Sequence, residues 1–186
     1  MSNSPTPQFA NYFELFDQSV GFVIDEPALS SKFTELQRQY HPDNAKNNSP
    51  EQASSNDASS ALINTAYQTL LHPDSRAEYL LQLAGQPFDN NRSIADESFL
   101  QTAMMHRMDM EEASSISDLK PLIDDTKRQL ENASTQFADA YANQDWELAV
   151  TATQKLKFLQ KLKQDMMAKE RELTASVNDS DDDLYL

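Results

Sequence analysis

Cysteine is absent from this chain of 186 residues, and glycine occurs only twice, at Gly21 and Gly85. Without cysteine there is no disulfide framework, no thiolate metal site and no cysteine nucleophile, which suits a reducing compartment. Hairpins and barrels also need turn residues with positive φ, which glycine supplies most readily. Because Ala, Leu, Gln, Glu and Lys abound instead, the composition predicts an all-α fold.

Long apolar runs and an excess of positive charge are missing as well. No stretch approaches the roughly 18 apolar residues of a membrane span, and residues 1–11 lack the basic start and apolar middle of a signal peptide. The net charge of -15 would repel a nucleic-acid backbone or an anionic membrane surface. We therefore expect a cytoplasmic protein whose partners are other proteins, with no nucleic-acid or membrane partner.

Four helical patterns fill residues 11–84, which we interpret as one N-terminal domain behind a flexible leader of residues 1–10. They are expected over Asn11–Phe16, from the N-cap Asp25 to a stop at Pro42, over Pro50–Leu71, and over Pro73–Ala84. The second pattern places Leu29, Phe33 and Leu36 on one face. Pro42 ends it, because the residue before a proline is pushed out of the helical region.

A polar linker of residues 85–95 separates this domain from three longer helical patterns in residues 96–173. We expect these helices near Asp96–Ala113, Ser117–Ala142 and Asp145–Leu173. Three apolar stripes joined by short loops bury one another best as an antiparallel bundle. Residues 174–186 form an acidic tail, and its last nine residues, NDSDDDLYL, are predicted to be disordered.

The tripeptide His41-Pro42-Asp43 stands at the tip of the predicted helical hairpin. Imidazole and carboxylate groups could serve a metal site or an acid/base pair, so a metal-binding or hydrolytic protein is one hypothesis. A metal site needs three or four converging donors, however, and His72 and His106 lie far along the chain. Taken alone, the tripeptide is more typical of a helix stop, with His41 as a last-turn cation.

The surrounding residues add a family resemblance. A helix carrying FTELQRQYHPD, then a loop, then a helix carrying ALINTAYQTLLHP resembles the J-domain of DnaJ-class co-chaperones. With AYQTLLHPDSRAEYLLQLAG, FLQTAMMHRM and KLKFLQKL, the chain from about Tyr12 to Leu173 is similar to the HscB family, the J-type co-chaperones of iron-sulfur cluster assembly.

That resemblance implies two protein partners and no catalytic group, cofactor or metal. His41, Pro42, Asp43 and Arg38 would contact the DnaK-class chaperone HscA and stimulate its ATP hydrolysis. The C-terminal bundle would hold the iron-sulfur scaffold protein IscU. A J-domain co-chaperone with a different client is the alternative.

The helix from Asp96 carries more apolar residues than one core stripe requires. Phe99, Ala103, His106 and Met110 form one line along it, and Leu100, Met104 and Met108 form another. Either both lines belong to a broad core stripe, or the second faces outward as a binding surface. Phe158 falls roughly 110° from the core direction of its own helix, so we expect an exposed aromatic there.

The resemblance assigns the scaffold contacts to seven positions, which are Leu100, Gln101, Met104, Met105, Met108, Glu112 and Phe158. Met105 and Met108 stand where the family pattern has glutamate, which should make the contact more apolar and less sensitive to salt. Asn44 stands where a lysine is usual. The preceding helix balances Lys32 and Arg38 against two glutamates, so it offers little electrostatic steering.

Overall fold

The computed structural model describes residues 9–40, 50–86, 88, 89 and 94–182. These residues form seven α-helices and no strand, which confirms the all-α prediction. The chain divides into two compact units, Met1–Gly85 and Gln86–Leu186. The helices are α1 (Tyr12–Leu15), α2 (Glu26–Gln39), α3 (Pro50–Leu71), α4 (Pro73–Leu83), α5 (Glu97–Glu112), α6 (Ile116–Ala142) and α7 (Trp146–Asp182).

Aromatic packing anchors the four-residue helix α1 in the N-terminal unit. Phe13, Leu15 and Phe16 are buried. The ring of Tyr12 stacks on that of Tyr79 from α4 with centroids 4.5 Å apart, and the Tyr12 N–H donates to the Tyr79 hydroxyl at 2.9 Å. So short a helix is unstable by itself, and these contacts supply the stability that its few backbone hydrogen bonds cannot.

Helices α2 and α3 meet through the faces that the sequence predicted. The Asp25 carboxylate caps α2 by accepting the Ala28 N–H at 2.9 Å. Leu29 and Leu36 are buried, and Phe33 stacks on Tyr67 of α3 at a centroid distance of 3.9 Å. The predicted cap and apolar face of α2 therefore both form.

The buried stripe of α3 differs from the predicted one by a small rotation. The apolar spacing of the sequence predicts a stripe of Ala58, Leu62, Ala66 and Leu70 at steps of four residues, but Ala58 is exposed and Ser59 is buried. Ser59 lies in line with Ile63, Ala66 and Leu70 at steps of four, three and four residues. That spacing follows the 3.6-residue period more closely than uniform steps of four. The helical period therefore places Ser59 on the buried side of α3, although its side chain is polar.

A buried arginine closes the junction between α3 and α4. The Arg76 Nη1 donates to the Leu70 carbonyl at 2.7 Å, and its guanidinium lies 5.0 Å from the centre of the Phe22 ring. Burial lowers the pKa of Arg76. The contact satisfies a carbonyl in the last turn of α3, where carbonyls lack a partner within the helix.

The C-terminal unit is built on the long pair α6 and α7. Ser115 and Asp118 form a capping box at the start of α6. The sequence predicts seven core positions on α6 and five on α7, and of these Ile123 and Tyr141 are only partly buried. The others are buried, namely Leu119, Thr126, Leu130, Ala133 and Phe137 on α6, and Ala149, Ala152, Leu156, Leu159 and Met166 on α7. Helix α7 continues to Asp182, beyond the expected end near Leu173. Each added residue contributes one backbone hydrogen bond, so a formed helix can extend without further packing.

Candidate protein-binding surfaces

The predicted chaperone-binding tripeptide, His41, Pro42 and Asp43, lies outside the described residues. Helix α2, which precedes the tripeptide, lies within the described residues up to its C-cap, Tyr40. The Tyr40 N–H closes α2 by donating to the Leu36 carbonyl at 2.9 Å. Arg38 is exposed in the last turn of α2, three residues before His41 in the sequence.

Lys32, the other cation of α2, is engaged within its own unit. Its Nζ lies 3.0 Å from an Asp17 carboxylate oxygen and 3.3 Å from one of Glu35. Hydrogen bonds to these two carboxylates, the one to Asp17 foremost, raise the pKa of Lys32. This pairing holds the Lys32 ammonium within the N-terminal unit.

An identical tripeptide, His72-Pro73-Asp74, marks the boundary between α3 and α4. His72 is the N-cap of α4 and Pro73 its first residue. The His72 Nε2 lies 3.2 Å from the side-chain oxygen of Gln68 in the preceding turn. Sequence reasoning treated this segment as a helix interruption and did not use its identity with residues 41–43. In this second copy the three residues form the start of a helix.

Helix α5 turns one side inward and leaves the other uncovered. On the inner line Ala103 and Met110 are buried, and Phe99 and His106 are half-buried. On the other line Leu100 is 38% exposed, Met104 67% and Met108 53%, while the neighbouring Met105 is 62% exposed. The interpretation in which both lines form one broad core stripe is therefore wrong.

Six of the seven predicted scaffold contacts lie together on this uncovered side. We call them the outer face of α5, which consists of Leu100, Gln101, Met104, Met105, Met108 and Glu112, all exposed. At 100° per residue they fall within an arc of about 140°, and the inner line points away from it. The outer face is thus a continuous strip of apolar side chains with one amide and one carboxylate at its border.

Phe158 does not join this strip as an exposed aromatic, so that expectation is wrong. It is half-buried and packs against a core cluster of Met110, Ala113, Leu119, Leu162 and Met166. Its ring meets that of Phe99 edge-on, with centroids 5.8 Å apart. On α7, Phe158 points away from the stripe that packs against α6. It therefore faces α5, the remaining helix of the bundle, which covers it.

A carboxylate fixes the N-terminal end of α5 to α7. Asp96 caps α5 by accepting the Phe99 N–H at 3.0 Å, and its other oxygen lies 2.6 Å from the Lys155 Nζ. The Lys155 bond first, then those from the Phe99 N–H and the Ser98 hydroxyl, hold the pKa of Asp96 well below its usual range. The Lys155 ammonium also lies 5.6 Å from the centre of the Phe99 ring.

Further polar contacts hold the middle and the C-terminal end of α5. The His106 Nε2 lies 3.2 Å from an Asp125 carboxylate oxygen of α6. The Lys169 ammonium of α7 donates to the Glu111 carbonyl at 3.2 Å, where a helix end exposes unpaired carbonyls. Sequence reasoning missed these partners. The signal available to it was His106, whose place on an apolar line calls for a buried polar partner.

No group of three or more His, Asp or Glu side chains could hold a metal ion in residues 9–40, 50–86, 88, 89 and 94–182. Within the same stretches, no helix has the length and hydropathy needed to cross a membrane.

Comparison with known proteins finds a matching family model and close relatives of this chain. A family model described as the HSCB C-terminal oligomerisation domain matches residues 95–167. The chain is 36% identical over 175 residues to the co-chaperone protein HscB homolog of Acinetobacter baumannii (strain SDF), covering 93% of this chain and 99% of the relative. It is 37% identical over 174 residues to the homolog of Acinetobacter baylyi, with the same coverage.

Two solved structures are similar over most of the chain. The chaperone HscB from Vibrio cholerae has a TM-score of 0.77 at 34% identity, covering 88% of this chain and 99% of the other. The human co-chaperone protein HscB has a TM-score of 0.79 at 28% identity, covering 88% of this chain and 84% of the other. The similarity therefore extends across both units.

Proposed function

Since this chain belongs to the HscB family of co-chaperones, we propose that it stimulates ATP hydrolysis by the DnaK-class chaperone HscA and delivers the iron-sulfur scaffold protein IscU to it. The relatives are named co-chaperones and not enzymes. In this proposal the chain activates a partner's ATPase by contact and supplies no catalytic group itself. The N-terminal unit carries the chaperone contact and the C-terminal unit the scaffold contact.

The outer face of α5 is the observation that carries the scaffold half of the proposal. Leu100, Met104, Met105 and Met108 expose apolar side chains next to one another on one helix. An apolar strip rimmed by polar groups is typical of a surface that another protein covers. Methionine is flexible and polarisable, so it can adapt its shape to a partner.

Phe158 takes a different part in this proposal than the resemblance assigned to it. Its contacts with Phe99 and the core cluster place it behind α5. We regard it as a positioning residue that supports the inner side of the helix whose outer face meets the scaffold. Truncating it would disturb the bundle itself, so a test of binding should use the exposed residues.

The chaperone half of the proposal relies on the end of α2. Arg38 is exposed there, and His41, Pro42 and Asp43 follow at once in the sequence. Pro42 limits the backbone conformations open to this segment and so lowers the entropy cost of docking. The imidazole and the carboxylate add a donor and an acceptor for a partner's polar groups.

Single-turnover ATP hydrolysis by HscA tests the chaperone half. We expect His41→Gln to abolish the stimulation while leaving IscU binding intact. The matched control is His72→Gln, which alters the second copy of the tripeptide, where His72 has a structural place at the start of α4. Equal loss of stimulation in both variants, or in neither, would contradict the role assigned to residues 41–43.

Calorimetric titration with IscU tests the scaffold half. We expect the triple variant Leu100→Ala, Met104→Ala, Met108→Ala to bind at least about tenfold more weakly. The matched control changes Ile116, Leu148 and Met167 to Ala, since these apolar residues of the same unit are also exposed but lie off α5.

Circular dichroism of both triple variants should match that of the unaltered protein, because the substituted side chains are exposed. Unaltered protein that stimulates HscA but does not bind IscU would favour the J-domain co-chaperone with a different client. Equal weakening by the two triple variants would show that the outer face of α5 has no special part in binding.

A further inference from the structure

Methionine is the only oxidisable sulfur in this chain, because cysteine is absent. Four of the seven methionines, Met104, Met105, Met108 and Met110, lie in α5. Met166 and Met167 lie in α7, and Met1 lies outside the described residues. The sulfur is thus concentrated on the helix that carries the proposed scaffold contact.

Burial divides these methionines into two groups. Met110 and Met166 are buried together in the core cluster against which Phe158 packs. Met104, Met105 and Met108 are exposed and adjacent on the outer face of α5, and Met167 is exposed on α7. At 100° per residue Met167 points about 180° away from Phe158 around α7, so it is not directed toward α5. Among the described methionines, three of the four that a solvent-borne oxidant can reach therefore lie on the outer face.

From this arrangement we propose that Met104, Met105 and Met108 form an oxidative modification site, at which sulfoxide formation reversibly weakens scaffold binding. This inference rests on the proposed function of the outer face. The oxidant belongs to the hydroperoxide class, with hydrogen peroxide as its simplest member. Reduction by a methionine sulfoxide reductase restores the thioether.

The chemical step needs only the methionine thioether and the peroxide, with no other group of the protein. The thioether sulfur donates an electron pair to one peroxide oxygen, so that a sulfur–oxygen bond forms while the oxygen–oxygen bond breaks. The departing hydroxide takes up the proton that the sulfur-bound oxygen loses, and it leaves as water. Sulfur loses two electrons and the peroxide gains them, so each methionine consumes one molecule of hydrogen peroxide.

The modification changes binding because of what the sulfoxide requires. A sulfoxide oxygen is a strong hydrogen-bond acceptor, and burying it in an apolar contact without a donor costs free energy. The fold is spared, because the three side chains lie in solvent and contribute little to the core. The outer face would therefore lose affinity while the helix beneath it stays in place.

The test oxidises this protein alone, removes the peroxide with catalase, and then titrates unoxidised IscU. Binding before oxidation tests the proposed function, and the ratio of affinities after and before tests the switch. We expect peptide mass spectrometry to find sulfoxide at residues 104, 105 and 108 ahead of residues 110 and 166. Affinity should then fall at least about tenfold, and treatment with the two reductases that act on the two sulfoxide epimers should restore it.

Two variants assign the effect to individual sulfurs. Met104→Leu with Met105→Leu and Met108→Leu should show the same affinity before and after peroxide, whatever that affinity is. Met167→Leu should remain as sensitive as the unaltered protein. Full sulfoxide formation at the three positions without loss of affinity would overturn the proposal, as would preferential oxidation of Met110 or Met166. Absence of IscU binding before oxidation would overturn both this proposal and the proposed scaffold contact.

Discussion

Helices α1 and α5 are both held against larger neighbours, but by different forces. Helix α1 has four residues, and buried apolar groups attach it, with Phe13 0% and Phe16 1% exposed. Helix α5 has sixteen residues, of which only Ala103 and Met110 are buried. Polar contacts at its start, middle and end complete its attachment, namely Asp96 with Lys155, His106 with Asp125, and Lys169 with the Glu111 carbonyl.

This difference determines what each unit is sensitive to. Apolar burial scales with area and depends little on pH or salt, whereas charged contacts depend on protonation. Beneath the outer face, these polar contacts add to the apolar packing of Phe99 and Met110 in holding α5. The orientation of the proposed scaffold surface is therefore linked to a few charges, and each of these can be altered separately.

The largest effect should come from Phe13→Ala, which removes the apolar anchor of α1. We expect the free energy of unfolding of the N-terminal unit to fall by about 3–5 kcal/mol, as for other buried phenylalanines. Hydrogen exchange measured by mass spectrometry can follow each unit separately. Val23→Ala is the control, because Val23 is 85% exposed and its truncation should change stability by no more than about 0.5 kcal/mol. Similar losses for the two variants would contradict apolar anchoring of α1.

An intermediate effect should come from Asp96→Asn, which keeps an oxygen for the Phe99 N–H but removes the charge facing Lys155. The Lys155 side chain is only 12% exposed. Leaving its ammonium unpaired should cost the C-terminal unit about 1–3 kcal/mol. Fluorescence of Trp146 during urea unfolding reports this unit selectively, since it is the only tryptophan.

The control for that substitution is Lys161→Gln, which removes an ammonium 67% exposed and 2.8 Å from an Asp165 oxygen. Exposed pairs of this kind contribute about 0–1 kcal/mol. If Asp96→Asn and Lys161→Gln shifted the urea midpoint equally, the Asp96 contact would not be an anchor of α5.

The smallest effect should be a loss of stability in acid that is concentrated in the C-terminal unit. Hydrogen bonds, that from Lys155 foremost, lower the pKa of Asp96, and those from the Ser115 and Ser114 groups lower the pKa of Asp118. A carboxyl with a lowered folded-state pKa binds protons less tightly when folded. Its contribution is therefore complete above its ordinary pKa of about 3.9 and declines as the pH falls below that value.

Urea unfolding followed through Trp146 between pH 6 and pH 3 measures this decline. We expect the urea midpoint of the unaltered protein to fall between pH 6 and pH 3. This fall should be smaller than the decrease in midpoint that Asp96→Asn causes at pH 6. The variant should show a shallower dependence on pH, because it lacks one of the two carboxyls. An identical dependence in the variant would mean that Asp96 does not contribute to the acid sensitivity.

Local patterns in the sequence predicted most of the fold because their causes are local. The Asp25 cap, the buried Leu29 and Leu36, and the end of α3 at Leu71 depend on residues a few positions apart. The inner and outer lines of α5 also follow from helical period alone. The period could not show which of the two lines would be covered, because that depends on the position of α6 and α7.

Contacts between distant residues were beyond such reasoning. Phe158 was expected in solvent, yet the inner side of α5 covers it. The bond from Lys169 to the Glu111 carbonyl joins residues 58 positions apart. The buried Arg76 likewise could not be distinguished from an exposed arginine by its neighbours in the sequence.

The amino-acid sequence by itself therefore determined most of the helices, the Asp25 cap, the apolar face of α2 and the family, since these depend on local spacing and residue identity. The tertiary structure decided which apolar residues remain in solvent. Leu100 and Phe158 have similar hydrophobicity, but α5 packs over Phe158 and leaves Leu100 outside. Burial is a property of the assembled bundle, because it depends on which surfaces meet when the helices pack.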